Sequence, residues 1–254
     1  MLDPSVWVLL CTIGFVAGFI DAIAGGGGML TVPALLAAGL PPHIALGTNK
    51  LAASFGSFTA SVTFYRKRLF NPRFWYLSLI ATAIGAVSGT LLVSYISTDF
   101  LEKILPILIL VTAVYTLLSK TVVSICNKLP PNTVSLKAKQ VSQGIILGFY
   151  DGVAGPGTGA FWLASSNFLY KINILLSSGL AKSNNFISNL CSLVTFAYLG
   201  YVNPLIGVSM GLCIMLGAWF GAHSAIKYGN QFIKPIFISV VIALSCYLGY
   251  QSWF

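Results

Sequence analysis

Twice in this chain an apolar run of membrane-spanning length is broken by an aspartate and a cluster of glycines. The first break reads GFIDAIAGGGG over residues 18–28 and the second GFYDGVAGPGT over 148–158, which sets Asp21 and Asp151 130 positions apart. A GxxxG pair precedes each, Gly14/Gly18 and Gly144/Gly148. After a two-residue shift the correspondence continues at 132 positions. It pairs Gly47 with Gly179, Lys50 with Lys182, Asn71-Pro72 with Asn203-Pro204, and GAVSG at 85–89 with GAWFG at 217–221. One motif set is written twice, at a period far longer than that of solenoid repeats.

With 57% hydrophobic and only 7% charged residues, the chain has too little polar surface to coat a soluble globule. It reads as an all-α polytopic membrane protein, a single membrane domain over residues 1–254. Apolar segments lie near 6–24, 29–38, 44–65, 74–96 and 104–118, and again near 141–154, 160–170, 174–199, 205–226 and 232–250. The segments flanking the glycines are too short to span comfortably by themselves. Each half therefore reads as one glycine-broken helix or re-entrant hairpin plus three ordinary helices, about eight hydrophobic segments in all. Residues 1–118 form the first repeat and 141–254 the second. The polar stretch 119–140, with Lys120, Lys128, Lys137 and Lys139, is a cytoplasmic linker.

The formal charge of +9 is spread thinly between apolar runs, with no contiguous basic face for a nucleic acid. These residues act as topology signals. If the broken elements cross the membrane, the halves are parallel and four basic residues fall outside. If they dip in and return, the halves are inverted and only Lys103 is left outside, so the positive-inside rule favours an inverted repeat. The leader MLDPS carries Asp3 and no basic residue, unlike a signal peptide. The five cysteines show no CxxC spacing, so no disulfide, metal site or cofactor is expected.

Backbone without helical hydrogen bonds is tolerated at membrane depth only beside protein or a water-filled cavity. A glycine-rich break in a long apolar element therefore marks a site. Gly25, Gly26, Gly27 and Gly28 free several N–H groups ahead of a new helix. Gly155, Gly157, Thr158 and Gly159 do so before Ala160, and positive helix ends of this kind suit an anion. Lys50 and Lys182 are intramembrane cations and candidate substrate ligands. Asp21 and Asp151, two of only five acids, either cap freed N–H groups, neutralise the lysines or carry a coupled proton. Two acids and two bases would leave the site neutral when empty. Asn49, Asn184 and Asn185 flank the lysines and either hydrogen-bond an oxyanion or bridge helices.

No G-K-[ST] follows the glycines, and the two histidines sit near segment ends, so neither a phosphate-binding loop nor a serine-hydrolase constellation stands out. The chain reads as no enzyme. The expectation is a secondary transporter of a small anion working by alternating access around a midplane site, with a passive anion channel or a membrane scaffold as competitors. The lipid bilayer is its environment, and a homodimer is left open.

The paired GFIDAIAGGGG and GFYDGVAGPGT motifs, with LGTNKLAAS and GLAKSNN, resemble the TauE/SafE, or sulfite exporter, family of membrane transporters over nearly the whole chain. The resemblance implies a multi-pass bacterial inner-membrane protein of two related halves that moves sulfite, sulfonates, thiosulfate or related organic anions. It carries over to Asp21, Gly25 to Gly28, Asn49 and Lys50, and to Asp151, Gly155, Gly157, Lys182 and Asn184. Leu180-Ala181 replaces Thr48-Asn49 in the second half, so the halves differ at the site.

Overall fold

The computed structural model describes residues 3–118, 126 and 128–228, which form helices and no strand. In the first half α1 (Pro4–Ala24) and α2 (Gly28–Ala37) are the arms of a broken element, followed by α3 (Pro42–Arg66), α4 (Tyr76–Ser94) and α5 (Thr98–Leu118). In the second, α6 (Val134–Val153) and α7 (Thr158–Tyr170) are the arms, followed by α8 (Ile174–Tyr198) and α9 (Pro204–Tyr228). The last apolar segment, 232–250, and part of the 119–140 linker lie outside the described residues.

Among the described residues α1, α4 and α9 are long and apolar enough to cross a membrane, and the chain is a helical membrane protein. The equally long α3 and α8 are more polar, but their Asn, Lys and several Ser residues are buried in the bundle rather than turned to lipid. One boundary departs from the sequence reading. The segment expected from Val141 begins at Val134, because the Thr133 side chain accepts the Leu136 N–H at 3.2 Å and the Leu136 side chain is buried.

Small residues decide which helices touch, since lipid supplies no hydrophobic drive between them. A methyl built on Gly18 would lie 2.2 Å from Ile214 O, and one on Gly217 would lie 2.0 Å from Phe15 O. On the other side of the bundle, a methyl on Gly148 would lie 2.4 Å from Thr82 O and one on Gly89 2.1 Å from Phe149 O. The GxxxG pair of each broken element thus seats against the glycine pair of a helix in the other half. Gly14 meets Met210 and Gly18 meets Ile214, so α1 and α9 run the same way. α4 and α6 do likewise, with Gly144 at Ser78 and Gly148 at Thr82. α3 and α8 run in opposite directions, because Phe58 stacks on Phe186 while Ser61, further along, bonds Ser183.

These directions sort the charges. Arg66, Lys67, Arg68, Arg73, Lys128, Lys137, Lys139, Lys171 and Lys227 gather at one end of the bundle, where Gly179 packs on Leu69 and Trp75 packs on Tyr170. The opposite end holds Asp3, Asp99, Glu102 and Lys103.

Candidate functional site

Each break is built by local chemistry that differs between the halves. In the first, Gly25 (φ +73°) and Gly26 (φ +134°) take backbone conformations open to glycine. That turn lets the Asp21 carboxylate fold back, its Oδ1 accepting the N–H of Gly26 at 2.9 Å and of Gly27 at 3.0 Å. In the second, Pro156 has no N–H to offer, and the Asp151 carboxylate is held by hydroxyls instead. Thr158 Oγ1 lies 3.0 Å from Asp151 Oδ1, sharing its proton with Gly155 O, and Ser188 Oγ donates to Oδ2.

The two breaks cross each other in the middle of the bundle. A Cβ on Gly25 would come within 2.2 Å of Gly159 C and 2.4 Å of Ala160 N, and one on Gly28 would rest 3.4 Å from Pro156 Cα. Beside this crossing lies a small cavity of about 30 Å³, room for about two water molecules. Gly26, Gly27 and Gly28 line one side and Gly155, Thr158 and Gly159 the other, with Asp21, Asp151 and Asn49 between them. No hydrogen bond among the described residues takes the N–H of Gly28 or Gly159, each in the first turn of its helix.

The acids and lysines pair across the halves. Lys50 Nζ on α3 lies 2.9 Å from Asp151 Oδ1 on α6 and donates to the Asp151 carbonyl at 2.5 Å. Lys182 Nζ on α8 lies 3.0 Å from Asp21 Oδ2 on α1 and donates to the Asp21 carbonyl as well. Each ammonium thus grips the carboxylate and the main chain of the other half's break. The local charge sums to zero.

Several expected site residues have different surroundings. Lys50 and Lys182 were expected to face a substrate, but the carboxylates they bind form the cavity wall and the ammonium groups stand behind them. Asn184 is not at the cavity: its Oδ1 accepts Ser78 Oγ at 3.1 Å and Thr82 Oγ1 at 2.8 Å, tying α8 to α4. Gly25 is taken up by the crossing, and a Cβ on Gly157 would strike Met29 at 2.3 Å and Thr112 at 3.0 Å. The sequence reading did not single out Thr31, Ser57 and Asn189, which also line the cavity. Thr31 Oγ1 bonds Asn49 Oδ1 at 2.5 Å, and Asn189 follows Asn185 by one helical turn. The spacing of Lys182, Asn185 and Asn189 on one face of α8 is the sequence signal that would have found it.

Comparison with known proteins places these features in a family. The family model described as sulfite exporter TauE/SafE matches residues 10–248. A probable membrane transporter protein of Haemophilus influenzae is 38% identical over 252 residues, covering 97% of this chain and 96% of that protein. Probable membrane transporter protein ORF9 of a Sinorhizobium species is 39% identical over 238 residues, 93% and 89% of the two chains. Probable membrane transporter protein YfcA of Escherichia coli K12 is 36% identical over 252 residues, 99% and 93% of the two. No solved structure gives a significant match.

Proposed function

We propose a function from one premise: the chain belongs to the sulfite exporter TauE/SafE family of membrane transporters. It is a transporter and not an enzyme. Its cargo, on this reading, is a small anion of the sulfur oxyanion or sulfonate class. It moves by alternating access around the cavity where the two breaks cross, in the inner membrane of a bacterium.

The observation that carries the reading is the crossing itself. Two helix starts with unused N–H groups flank a cavity whose fixed charges are internally neutralised, and the amides of Asn49, Asn185 and Asn189 stand around it. An anion entering there meets donors and positive helix ends. A pyramidal or tetrahedral oxyanion has four or more heavy atoms and exceeds the space of about two waters, so binding requires the walls to part. A cavity this small suits a carrier better than an open channel.

The halves on this reading are inverted repeats. Antiparallel α3 and α8, with α1 alongside α9 and α6 alongside α4, are what a two-fold axis in the membrane plane produces. The basic end would face the cytoplasm. A detail of the backbone agrees. Two residues past α3 stands Arg68 (φ +59°), whereas two past α8 stands Gly200 (φ +79°). Three residues before α8 stands Lys171 (φ +52°), whereas three before α3 stands Gly39 (φ +85°). Left-handed backbone costs a non-glycine residue about 1–2 kcal/mol, yet at the basic end both positions keep a cation. A topology signal at those two sites accounts for keeping it.

Flux into proteoliposomes tests the function. The purified chain is expected to take up radiolabelled sulfite, thiosulfate or a short sulfonate with saturable kinetics and to exchange internal for external label. Large, non-saturating currents would establish a channel. Absence of flux for all three classes, in protein that remains folded, would remove the transport reading.

A further inference from the structure

We propose that the two buried acid–lysine pairs have different roles: Asp21 takes up one proton for each anion bound, whereas Asp151 is a fixed anchor. This rests on the anion-transport reading above and assigns its coupling.

The two acids hold corresponding places in their breaks, but their partners differ at each comparable position. Seven residues beyond Asp151 stands Thr158, whose hydroxyl reaches Oδ1; seven beyond Asp21 stands Gly28. Six residues beyond Lys182 stands Ser188, whose hydroxyl donates to Asp151 Oδ2; six beyond Lys50 stands Gly56. Both hydroxyl donors that fix Asp151 are therefore glycine at the matching places around Asp21. Asp21 Oδ1 is held by the N–H groups of its own break, and Oδ2 has Lys182 alone. Exposure follows the same division, 19% for Asp21 against 2% for Asp151.

Protonation consequently means different things at the two sites. A proton placed on Asp21 Oδ2 forms one O–H bond, leaves Oδ1 with both its N–H donors, and displaces only the ammonium of Lys182. A proton on Asp151 would disturb an acceptor on which Lys50, Thr158 and Ser188 all converge, on a side chain only 2% exposed. The charge balance also closes. With Asp21 protonated, Lys182 keeps its three N–H groups and its charge but loses its counter-ion, and the cavity goes from neutral to +1. A monoanion then restores neutrality, and release of the anion returns the proton. Lys182 is held in place throughout by the Asp21 carbonyl.

The charged groups facing Asp21 are Lys182 from α8 and, across the cavity, the Asp151 carboxylate of α6 with Lys50 of α3. α2, α7 and α9 place no charged residue on the cavity wall. Lys182, the one cation of the site whose carboxylate partner can be neutralised without disturbing another side-chain donor, becomes the anion's counter-charge.

The test measures binding of methanesulfonate, a monoanion at every pH used, and of thiosulfate to the purified full-length protein as a function of pH. Uptake into proteoliposomes is followed in parallel. Wild-type affinity for methanesulfonate is expected to rise as pH falls, approaching on the order of tenfold per pH unit in the range where Asp21 is ionised in the free protein. Proton-driven uptake of methanesulfonate should not respond to membrane potential. Asp21→Asn should bind with a flat pH profile and lose proton-driven accumulation. Ser188→Ala, a milder probe of the second pair than removing Asp151, should keep the wild-type slope. An Asp21→Asn protein that keeps that slope would overturn the proposal while leaving anion transport intact, as would a slope abolished by Ser188→Ala alone. Failure of the wild type to bind either probe would instead remove the transport reading, and this coupling with it.

Discussion

Lys50→Ala is expected to destabilise the protein by about 3–5 kcal/mol, the range for removing one partner of a buried ion pair and leaving the other uncompensated. Lys50 and Asp151 are both almost wholly buried, so a stranded carboxylate gains little solvation. Asp151→Ala should cost about as much. The double variant should recover a large part of the loss, giving a coupling energy that a purely local packing role for each residue would not produce. Thermal unfolding in detergent and the yield of folded protein read the effect. Single variants within about 1 kcal/mol of wild type would show that the pair does not lock the second break to α3. Lys182→Ala should be milder, because Asp21 is partly exposed and keeps two backbone donors.

Gly25→Ala should be the most damaging glycine substitution at the crossing. The backbone at φ +73° and ψ 129° lies in a sparsely populated region that costs a non-glycine residue about 1–3 kcal/mol. The methyl would also meet Gly159 and Ala160 main chain, where no flexible side chain can yield, and such overpacking adds about 1–3 kcal/mol. Two controls separate the terms. At Gly39 the φ is +85° but a Cβ meets nothing within 4 Å, so Gly39→Ala should show the backbone cost alone. At Gly28 a Cβ would sit 3.4 Å from Pro156 Cα in ordinary contact, so Gly28→Ala should fold and report on the site. Equal melting temperatures for Gly25→Ala and Gly39→Ala would mean that the breaks are not in close contact.

The doubling of the Asp-glycine motif, the broken elements and the close-packing glycines were legible because each is a local pattern. A glycine cluster in an apolar run has few physical uses, and GxxxG spacing has one common use. Which acid meets which lysine was not legible. Lys50 bonds Asp151, 101 positions away, and Lys182 bonds Asp21, 161 positions away, so the pairing follows from how the halves interlock. That the carboxylates rather than the ammoniums form the wall is likewise a matter of three-dimensional reach. Asn184 and Asn185 differ by one step, about 100° around a helix, and that rotation alone sends one to α4 and the other to the cavity. The early start of α6 was hidden because its first turns are polar and only Leu136, Gln140 and Gln143 turn inward.

The central claim, that a small anion is carried at the crossing of the two breaks, is met most directly by an experimental structure of the full-length protein with sulfite at saturating concentration. The account predicts anion density between the amides of Gly28 and Gly159 and within reach of Asn185 and Asn189, with the walls moved apart to admit it. An anion seated only among the basic residues at the end of the bundle, with the crossing unchanged, would contradict it.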